Sequence, residues 1–287
     1  MTLAGRGTTW VREVGTGRPG APALLLLHGL TATAALNWGP SFEALGREFR
    51  TIALDHRGHG RGIRPSSLRG FRLEDCADDV IALADELGID QLVAVGYSMG
   101  GPIAQLTWRR HPDRVAGLVL CATSRNFGRI SQPALRLAMS GGVFGAAAAV
   151  RSMPRPVRRQ IGMASMTWRR RALGLPDWVL QEVGRNDPAA VLEAVRALQR
   201  FDSSPWIGEV DVPAAVVMTT RDRLVPPERQ QRLADSIPGA SVWPVDGDHG
   251  VCAVEPRRFV PVLLKACRSV TSLVPTQRAR QPVGEEH

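Results

Sequence analysis

The chain has 287 residues, and its hydrophobic content of 44% predicts a stable globular protein with a substantial buried core. Its formal net charge of +9 does not by itself indicate nucleic-acid binding, because most of the excess lies in the segment 125–176, which holds ten arginines and no Asp or Glu. No apolar stretch reaches the roughly 20 residues that cross a bilayer, and the N-terminal segment lacks the apolar region of a secretory signal, so we expect a cytoplasmic protein without a transmembrane segment.

The first half of the chain alternates short apolar runs with longer helix-like stretches. The runs are almost wholly apolar, as expected for parallel strands that helices cover on both faces. A doubly wound, mostly parallel α/β core is therefore predicted. The predicted strands are Ala23–Leu27, Thr51–Leu54, Leu92–Val95 and Val115–Cys121, and the predicted helices are Phe42–Phe49, Leu73–Leu87 and Met99–Arg110.

The alternation of strands and helices stops between about Arg125 and Ile207, where arginine clusters and helix-like pieces such as Pro188–Phe201 replace the strand signals. We expect an α/β core formed by residues 1–124 and 208–272, a helical insertion at 125–207, and a disordered polar tail at 273–287. The core is completed by predicted strands at Ala214–Met218 and Ser241–Val245, and by predicted helices at Pro227–Ser236 and Arg257–Arg268.

A GxSxG motif, with Ser98 between Gly96 and Gly100, follows the strand Leu92–Val95 and opens a helix. This strand-turn-helix context predicts a nucleophile elbow, in which the serine's turn is strained and side chains in place of the two glycines would clash with the neighbouring helix and strand. A chance match in a loop is the alternative. Ser98 is therefore the candidate nucleophile.

A serine hydroxyl needs a base that works near neutral pH, and histidine is the natural choice. Of the six histidines, His249 follows the strand Ser241–Val245 in a loop that can lie over the carboxyl edge of the sheet. An ordinary surface-loop histidine is the alternative. His249 is the candidate general base.

The base needs a carboxylate that fixes its tautomer. Asp222 follows the strand Ala214–Met218 and is the candidate, against the alternative of a surface salt bridge to a neighbouring arginine. Asp246 and Asp248 also remain possible, although both lie close to His249 in the chain.

Acyl transfer also needs donors for the oxyanion that develops in the transition state. The backbone N–H groups of Leu30 and Met99 are the candidates, because Leu30 follows the strand Ala23–Leu27 and Met99 follows the nucleophile. His28 and Gly29 complete the first loop, in which His28 would position the backbone or serve as an ordinary turn residue.

Four cysteines, Cys76, Cys121, Cys252 and Cys267, lie far apart and favour buried free thiols over disulfides. The chain has no CxxC pair, no HExxH motif and no histidine spacing typical of a metal shell. We therefore expect neither a metal nor a cofactor.

Taken together, these motifs resemble the α/β-hydrolase fold family, and the resemblance runs from about Trp10 to Arg268. It is carried by the segments LLLLHGL, ALDHRGHG, VAVGYSMGG, TTRDRLVPP and GDHG. A serine in the elbow argues against the haloalkane dehalogenase and epoxide hydrolase branches, which use an aspartate. One departure is Arg61-Gly62 after the RGxG turn, where relatives often have a serine that bears on substrate binding.

The resemblance also implies that the insertion at 125–207 is a cap over the active site. Apolar patches at Leu137–Met139, Val143–Val150 and Trp168 would line an acyl pocket. The cap's arginines would attract an anionic group of the substrate or an anionic membrane surface, whereas simple solvated arginines are the alternative. Nucleic-acid binding is not expected, because no recognised motif interleaves stacking aromatics with these arginines.

The sequence thus predicts a serine hydrolase of a carboxylic ester, lactone or thioester, acting on a small-molecule acyl substrate, and the arginine-rich insertion favours an anionic or lipid-like one. Acyl transfer, or a cofactor-free perhydrolase or haloperoxidase reaction, would use the same triad. A catalytically silent hydrolase fold that binds a ligand is the rival from another class. The sequence does not name the substrate or indicate an oligomeric state.

Overall fold

A computed structural model of the chain describes residues 1–64, 70–128, 153–154, 156–157, 160 and 177–274. The centre of the molecule is a seven-stranded sheet of β3 (Val11–Val14), β4 (Ala23–Leu27), β5 (Thr51–Leu54), β6 (Leu92–Tyr97), β7 (Val115–Cys121), β8 (Ala214–Thr219) and β9 (Ser241–Val245). The strand order is β3-β5-β4-β6-β7-β8-β9, and only the edge strand β3 is antiparallel to its neighbour. A separate two-stranded ribbon consists of β1 (Thr2–Leu3) and β2 (Gly7–Thr8).

Helices cover both faces of the sheet, because β4, β5, β6 and β7 are buried along their whole length and need an apolar partner on each side. In the described part of the chain the helices are α1 (Ala34–Trp38), α2 (Phe42–Gly46), α3 (Leu73–Glu86), α4 (Gly100–Arg110), α5 (Asp177–Gly184), α6 (Pro188–Arg200), α7 (Pro227–Ser236), α8 (Val251–Val254) and α9 (Pro256–Thr271). The helices α3, α4, α6 and α7 contribute to the core on one face, and α1, α2, α8 and α9 contribute to the core on the other.

The doubly wound, mostly parallel α/β core predicted from the sequence is confirmed. Most element ends differ from the prediction by no more than three residues. The sequence prediction omitted the edge strand β3, whose four residues alternate too briefly to stand out, and the short helices α1 and α5. Helix α1 begins after Thr33, whose side chain accepts a hydrogen bond from the Leu36 amide.

The two ends of the predicted insertion meet at the sheet, where Asn126 and Asp202 form an isolated antiparallel bridge. Helices α5 and α6 belong to the insertion, and Asp187 caps α6 by accepting from the Ala189 and Ala190 amides. The apolar patches, nine of the ten arginines and residues 275–287 lie outside the described residues. The limits 125–207 of a cap therefore stay a prediction.

Candidate active site

Ser98 lies in a strained turn directly after β6. Its φ of +52° falls in the left-handed region that non-glycine residues rarely adopt, at a typical cost of about 1 kcal/mol or more. Two neighbouring hydrogen bonds hold this turn: the Ser98 amide donates to the Cys121 carbonyl at 2.9 Å, and the Thr123 hydroxyl donates to the Ser98 carbonyl at 2.8 Å. The turn therefore presents the Ser98 side chain above the carboxyl edge of the sheet.

Three glycines permit this turn because the backbone is closely packed around them. A Cβ atom on Gly96 would lie 2.2 Å from the Gly100 carbonyl oxygen, and one on Gly100 would lie 2.0 Å from the Leu27 carbonyl oxygen. A Cβ atom on Gly29 would lie 3.2 Å from the Ser98 Cβ atom, so the loop after β4 lies directly against Ser98. The crowding expected at the two elbow glycines is present.

His249 joins Ser98 to Asp222. Its Nε2 atom is 2.9 Å from the Ser98 hydroxyl, and its Nδ1 atom is 2.8 Å from Asp222 Oδ2. With a proton on Nδ1, the ring donates to the carboxylate and leaves Nε2 free to accept the proton of the serine hydroxyl. The structure thus brings together three side chains that β6, β8 and β9 carry to one edge of the sheet.

The Asp222 carboxylate is buried and hydrogen-bonded at both oxygens. Oδ1 accepts from the Leu224 and Val225 amides at 2.9 and 2.8 Å. Oδ2 accepts from the Thr219 hydroxyl at 2.8 Å and the Gln230 amide group at 3.3 Å, in addition to His249. These donors satisfy both carboxylate oxygens and fix the orientation of the group. Sequence reasoning missed Thr219 and Gln230, because no motif marks a buried glutamine on the following helix.

The other two candidate acids lie elsewhere. Asp246 pairs with Arg221 at 2.8 Å and with Arg258 at 3.0 Å. Asp248 pairs with Arg223 at 2.9 Å, and its Oδ1 atom accepts from the backbone amide of His249, not from the ring. Asp222 is accordingly the carboxylate that contacts the imidazole.

The Leu30 and Met99 amides have no hydrogen-bond partner among the residues that the structure describes. Two hydrogen bonds to the Gly29 backbone hold the loop that contains Leu30. Asn37 Oδ1 accepts from the Gly29 amide at 2.9 Å, and His28 Nδ1 lies 2.8 Å from the Gly29 carbonyl oxygen. The Gly29 carbonyl and the Leu30 amide belong to one peptide group, so His28 fixes the orientation of that amide.

His28 is buried, and its hydrogen bonds define its tautomer. Its Nε2 atom accepts from the His56 amide at 2.9 Å, so the proton lies on Nδ1 and is donated to Gly29. Burial lowers the pKa of His28 to about 4, which keeps the ring neutral near pH 7. The rings of His56 and His59 lie beside it, with centroids 4.3 and 5.5 Å from that of His28.

Arg61 stands where relatives often have a serine, and it contacts Asp55 through its backbone amide. Its amide donates to Asp55 Oδ2 at 2.8 Å, and Asp55 Oδ1 accepts from the Ala34 amide at 2.8 Å. These bonds need no particular side chain at position 61.

The described residues contain no group of three or more His, Cys, Asp or Glu side chains that could hold a metal ion. Within the same part of the chain, no helix is long and apolar enough to span a membrane. The four cysteines are free and buried, as their spacing predicts.

A mostly parallel sheet with a strained serine turn after a central strand, and a histidine and an aspartate at the same edge, defines the class of α/β-hydrolase-fold proteins. The α/β hydrolase fold profile matches residues 22–140. RutD of Rhizobium rhizogenes, named as a candidate carbamate hydrolase, is 32% identical over 262 residues, which cover 89% of this chain and 96% of the relative. The chain belongs to the α/β-hydrolase fold family and is a hydrolase.

Solved structures support the same fold. An esterase of Thermogutta terrifontis in its malate-bound form is 26% identical with a TM-score of 0.69, and the match covers 94% of this chain and 97% of the esterase. The enol-lactonase of Burkholderia xenovorans LB400 is 24% identical with a TM-score of 0.71, and the match covers 90% and 96% of the two chains. At this identity the second likeness concerns the fold alone.

Proposed function

We propose that the protein is a serine hydrolase that cleaves a carboxylic ester, lactone or thioester through a covalent acyl-enzyme on Ser98. The observation that carries this proposal is the hydrogen-bonded chain from Ser98 Oγ to His249 Nε2 at 2.9 Å and from His249 Nδ1 to Asp222 at 2.8 Å. This chain supplies a nucleophile, a base and a group that orients the base, as nucleophilic acyl transfer requires.

In the first half-reaction, Ser98 Oγ attacks the substrate carbonyl carbon while its proton passes to His249 Nε2. The tetrahedral adduct collapses, the bond to the leaving group breaks, and His249 gives the proton to the departing alcohol or thiol. In the second half-reaction, water attacks the acyl carbon and its proton passes to His249. Collapse of this second adduct releases the acid, and His249 returns the proton to Ser98. Asp222 stabilises the imidazolium in both steps.

The Leu30 and Met99 amides would donate to the oxygen that becomes negative in each adduct. Removal of one such donor typically lowers kcat by about 10²–10³-fold, so their orientation matters as much as the triad does. The contacts of Gly29 with His28 and Asn37 support a preorganised Leu30 amide. Gly96 and Gly100 support the elbow by leaving room for it.

The substrate class follows from the chemistry of the triad and from the relatives. An esterase is among the structures at least 25% identical to the chain, and the RutD relative suggests a carbamate, another acyl compound with an attackable carbonyl carbon. We propose a small-molecule acyl substrate with no cofactor. An anionic or lipid-like acyl group, and contact of a basic cap with an anionic membrane surface, remain predictions that fall largely on residues outside the described part of the chain. A cytoplasmic location also remains a prediction.

Labelling with a fluorophosphonate probe tests the proposal. We expect the wild-type chain to form an adduct on Ser98 that mass mapping locates, and we expect Ser98→Ala and His249→Ala to lose it. Ser272→Ala is the matched control, because the Ser272 hydroxyl donates only to the Ser269 carbonyl on the exposed end of α9 and should not affect labelling. A folded wild-type chain that takes no label contradicts the proposal.

The same triad could pass the acyl group to an alcohol or to hydrogen peroxide instead of water, as in acyltransferases and in cofactor-free perhydrolases or haloperoxidases. Product analysis with p-nitrophenyl acetate in the presence of methanol or hydrogen peroxide separates these reactions. A chain that binds an ester without cleaving it would instead indicate a silent ligand-binding protein.

A further inference from the structure

Tyr97 precedes the candidate nucleophile and reaches across the site to the backbone of the candidate base. Its hydroxyl donates to the His249 carbonyl oxygen at 2.6 Å, a contact between residues 152 positions apart. It is the only tyrosine in the chain, and 2% of its surface is exposed. The GxSxG pattern places no requirement on this residue, so the motif does not account for its hydroxyl.

The Tyr97 ring is fixed in its orientation. It makes edge-to-face contacts with Trp38, Phe259 and the His249 ring, with centroid distances of 6.0, 5.6 and 5.8 Å. Burial raises the pKa of Tyr97 well above its usual range, so the hydroxyl stays protonated and remains a donor. A rigid, buried donor is therefore directed at one carbonyl oxygen.

The other side of the His249 backbone has a weaker anchor. Its amide donates to Asp248 Oδ1 at 2.7 Å, and Asp248 is held by Arg223, but both of these side chains are exposed to solvent. Exposed ion pairs contribute little and are screened by salt. Of the two side chains that contact the His249 backbone, only Tyr97 is buried.

We propose that Tyr97 is a positioning residue that ties the His249 backbone to the nucleophile elbow and so sets the distance between the base and Ser98. This inference rests on the proposed function. Because Tyr97 and Ser98 are neighbours in the chain, a shift of the elbow moves the histidine loop with it. Without the hydroxyl, the His249 carbonyl oxygen would lose the hydrogen bond that ties it to the elbow, and the imidazole would occupy the productive position for less of the time.

The test is Tyr97→Phe, which removes one oxygen atom and keeps the ring. For hydrolysis of p-nitrophenyl acetate we expect kcat to fall about five- to tenfold, as for one lost hydrogen bond, with KM unchanged. Hydrogen exchange of residues 246–250 should become faster. Thr51→Val is the matched control: its buried hydroxyl bonds to the Phe49 carbonyl at the opposite edge of the sheet, and its loss should leave kcat within about twofold.

An unchanged kcat together with unchanged exchange in Tyr97→Phe overturns the inference. A fall in kcat that the Thr51→Val control shows equally also overturns it, because the effect would then be one of general stability. A wild-type chain that neither cleaves the ester nor takes the fluorophosphonate label would contradict the proposed function. In that case, the exchange measurement still decides whether Tyr97 holds the histidine loop.

Discussion

Acidification to about pH 5.5 should destabilise the protein through three buried neutral histidines. Burial lowers the pKa of His28 to about 4 and that of His59 to about 3, and it holds the pKa of His56 well below its usual value. Both ring nitrogens of His56 and the Nε2 atom of His59 are buried without a hydrogen-bond partner among the described residues. The Asp55 charge favours protonation of His59, but burial outweighs it and keeps the pKa low.

The sign of the effect follows from proton binding. In the unfolded chain these rings take up protons below about pH 6.5, whereas in the folded protein they stay neutral until the pH reaches their lowered pKa values. The histidine contribution to stability is therefore complete above pH 6.5 and is lost as the pH falls through the lowered pKa values, about 4 for His28 and about 3 for His59. At pH 5.5 each ring lowers the free energy of unfolding by more than about 1 kcal/mol relative to its value above pH 6.5. The three together lower it by roughly 4 kcal/mol, a large part of a typical folding free energy.

Asp55 acts in the opposite direction. Burial raises its pKa, so the folded protein binds that proton first on acidification and recovers part of the loss. This contribution therefore has the opposite sign to that of the three histidines.

Urea unfolding at about pH 7.5 and 5.5, followed by the fluorescence of the seven tryptophans, measures this difference. His56→Leu is the informative variant, since it removes a ring that makes no side-chain hydrogen bond. Leucine also has nearly the same volume as histidine. We expect the loss of stability between the two pH values to be smaller by about 1 kcal/mol in this variant. Equal losses in the variant and the wild type would refute the reasoning.

Three further substitutions have expected outcomes. Gly100→Ala places a Cβ atom 2.0 Å from a strand-end carbonyl oxygen and should lower the free energy of unfolding by about 3 kcal/mol or prevent folding. Gly39→Ala is the control, because its Cβ atom meets open space and Tm should stay nearly unchanged. Similar Tm values for the two variants would be evidence against the clash. Asp79→Asn removes a buried carboxylate that pairs with Arg57 at 2.5 Å and should lower the free energy of unfolding by roughly 3 kcal/mol, and a loss below about 1 kcal/mol would show that the pair is dispensable. Asp222→Asn should keep the fold but lower kcat by about 10³–10⁴-fold, because the imidazole loses its fixed tautomer; near wild-type turnover of p-nitrophenyl acetate would exclude Asp222 as the orienting acid.

The parts of the site that sequence reasoning identified all have local signals. Ser98 lies between glycines that the crowded turn requires, and His249 lies in a short loop directly after a strand. Apolar runs such as Ala23–Leu27 indicated the parallel core because a strand buried on both faces can carry few polar residues. These local signals therefore sufficed to propose the nucleophile and the base.

Only the tertiary structure decided between Asp222 and its neighbours Asp246 and Asp248. All three follow strands in the same region, and the distinction depends on which carboxylate faces the imidazole and which pairs with surface arginines. The contacts of Gln230 that support Asp222 could not be predicted from the sequence either.

The sequence by itself determined the α/β core and a short set of candidate catalytic residues, because strand burial and turn geometry are local and leave a pattern in the chain. The tertiary structure decided the tautomer of His28, the hydrogen bond from Tyr97 to His249, and the burial that suppresses protonation of the three histidines. These features depend on side chains far apart in the chain that meet only when the sheet and its helices pack, and no local pattern encodes such a meeting.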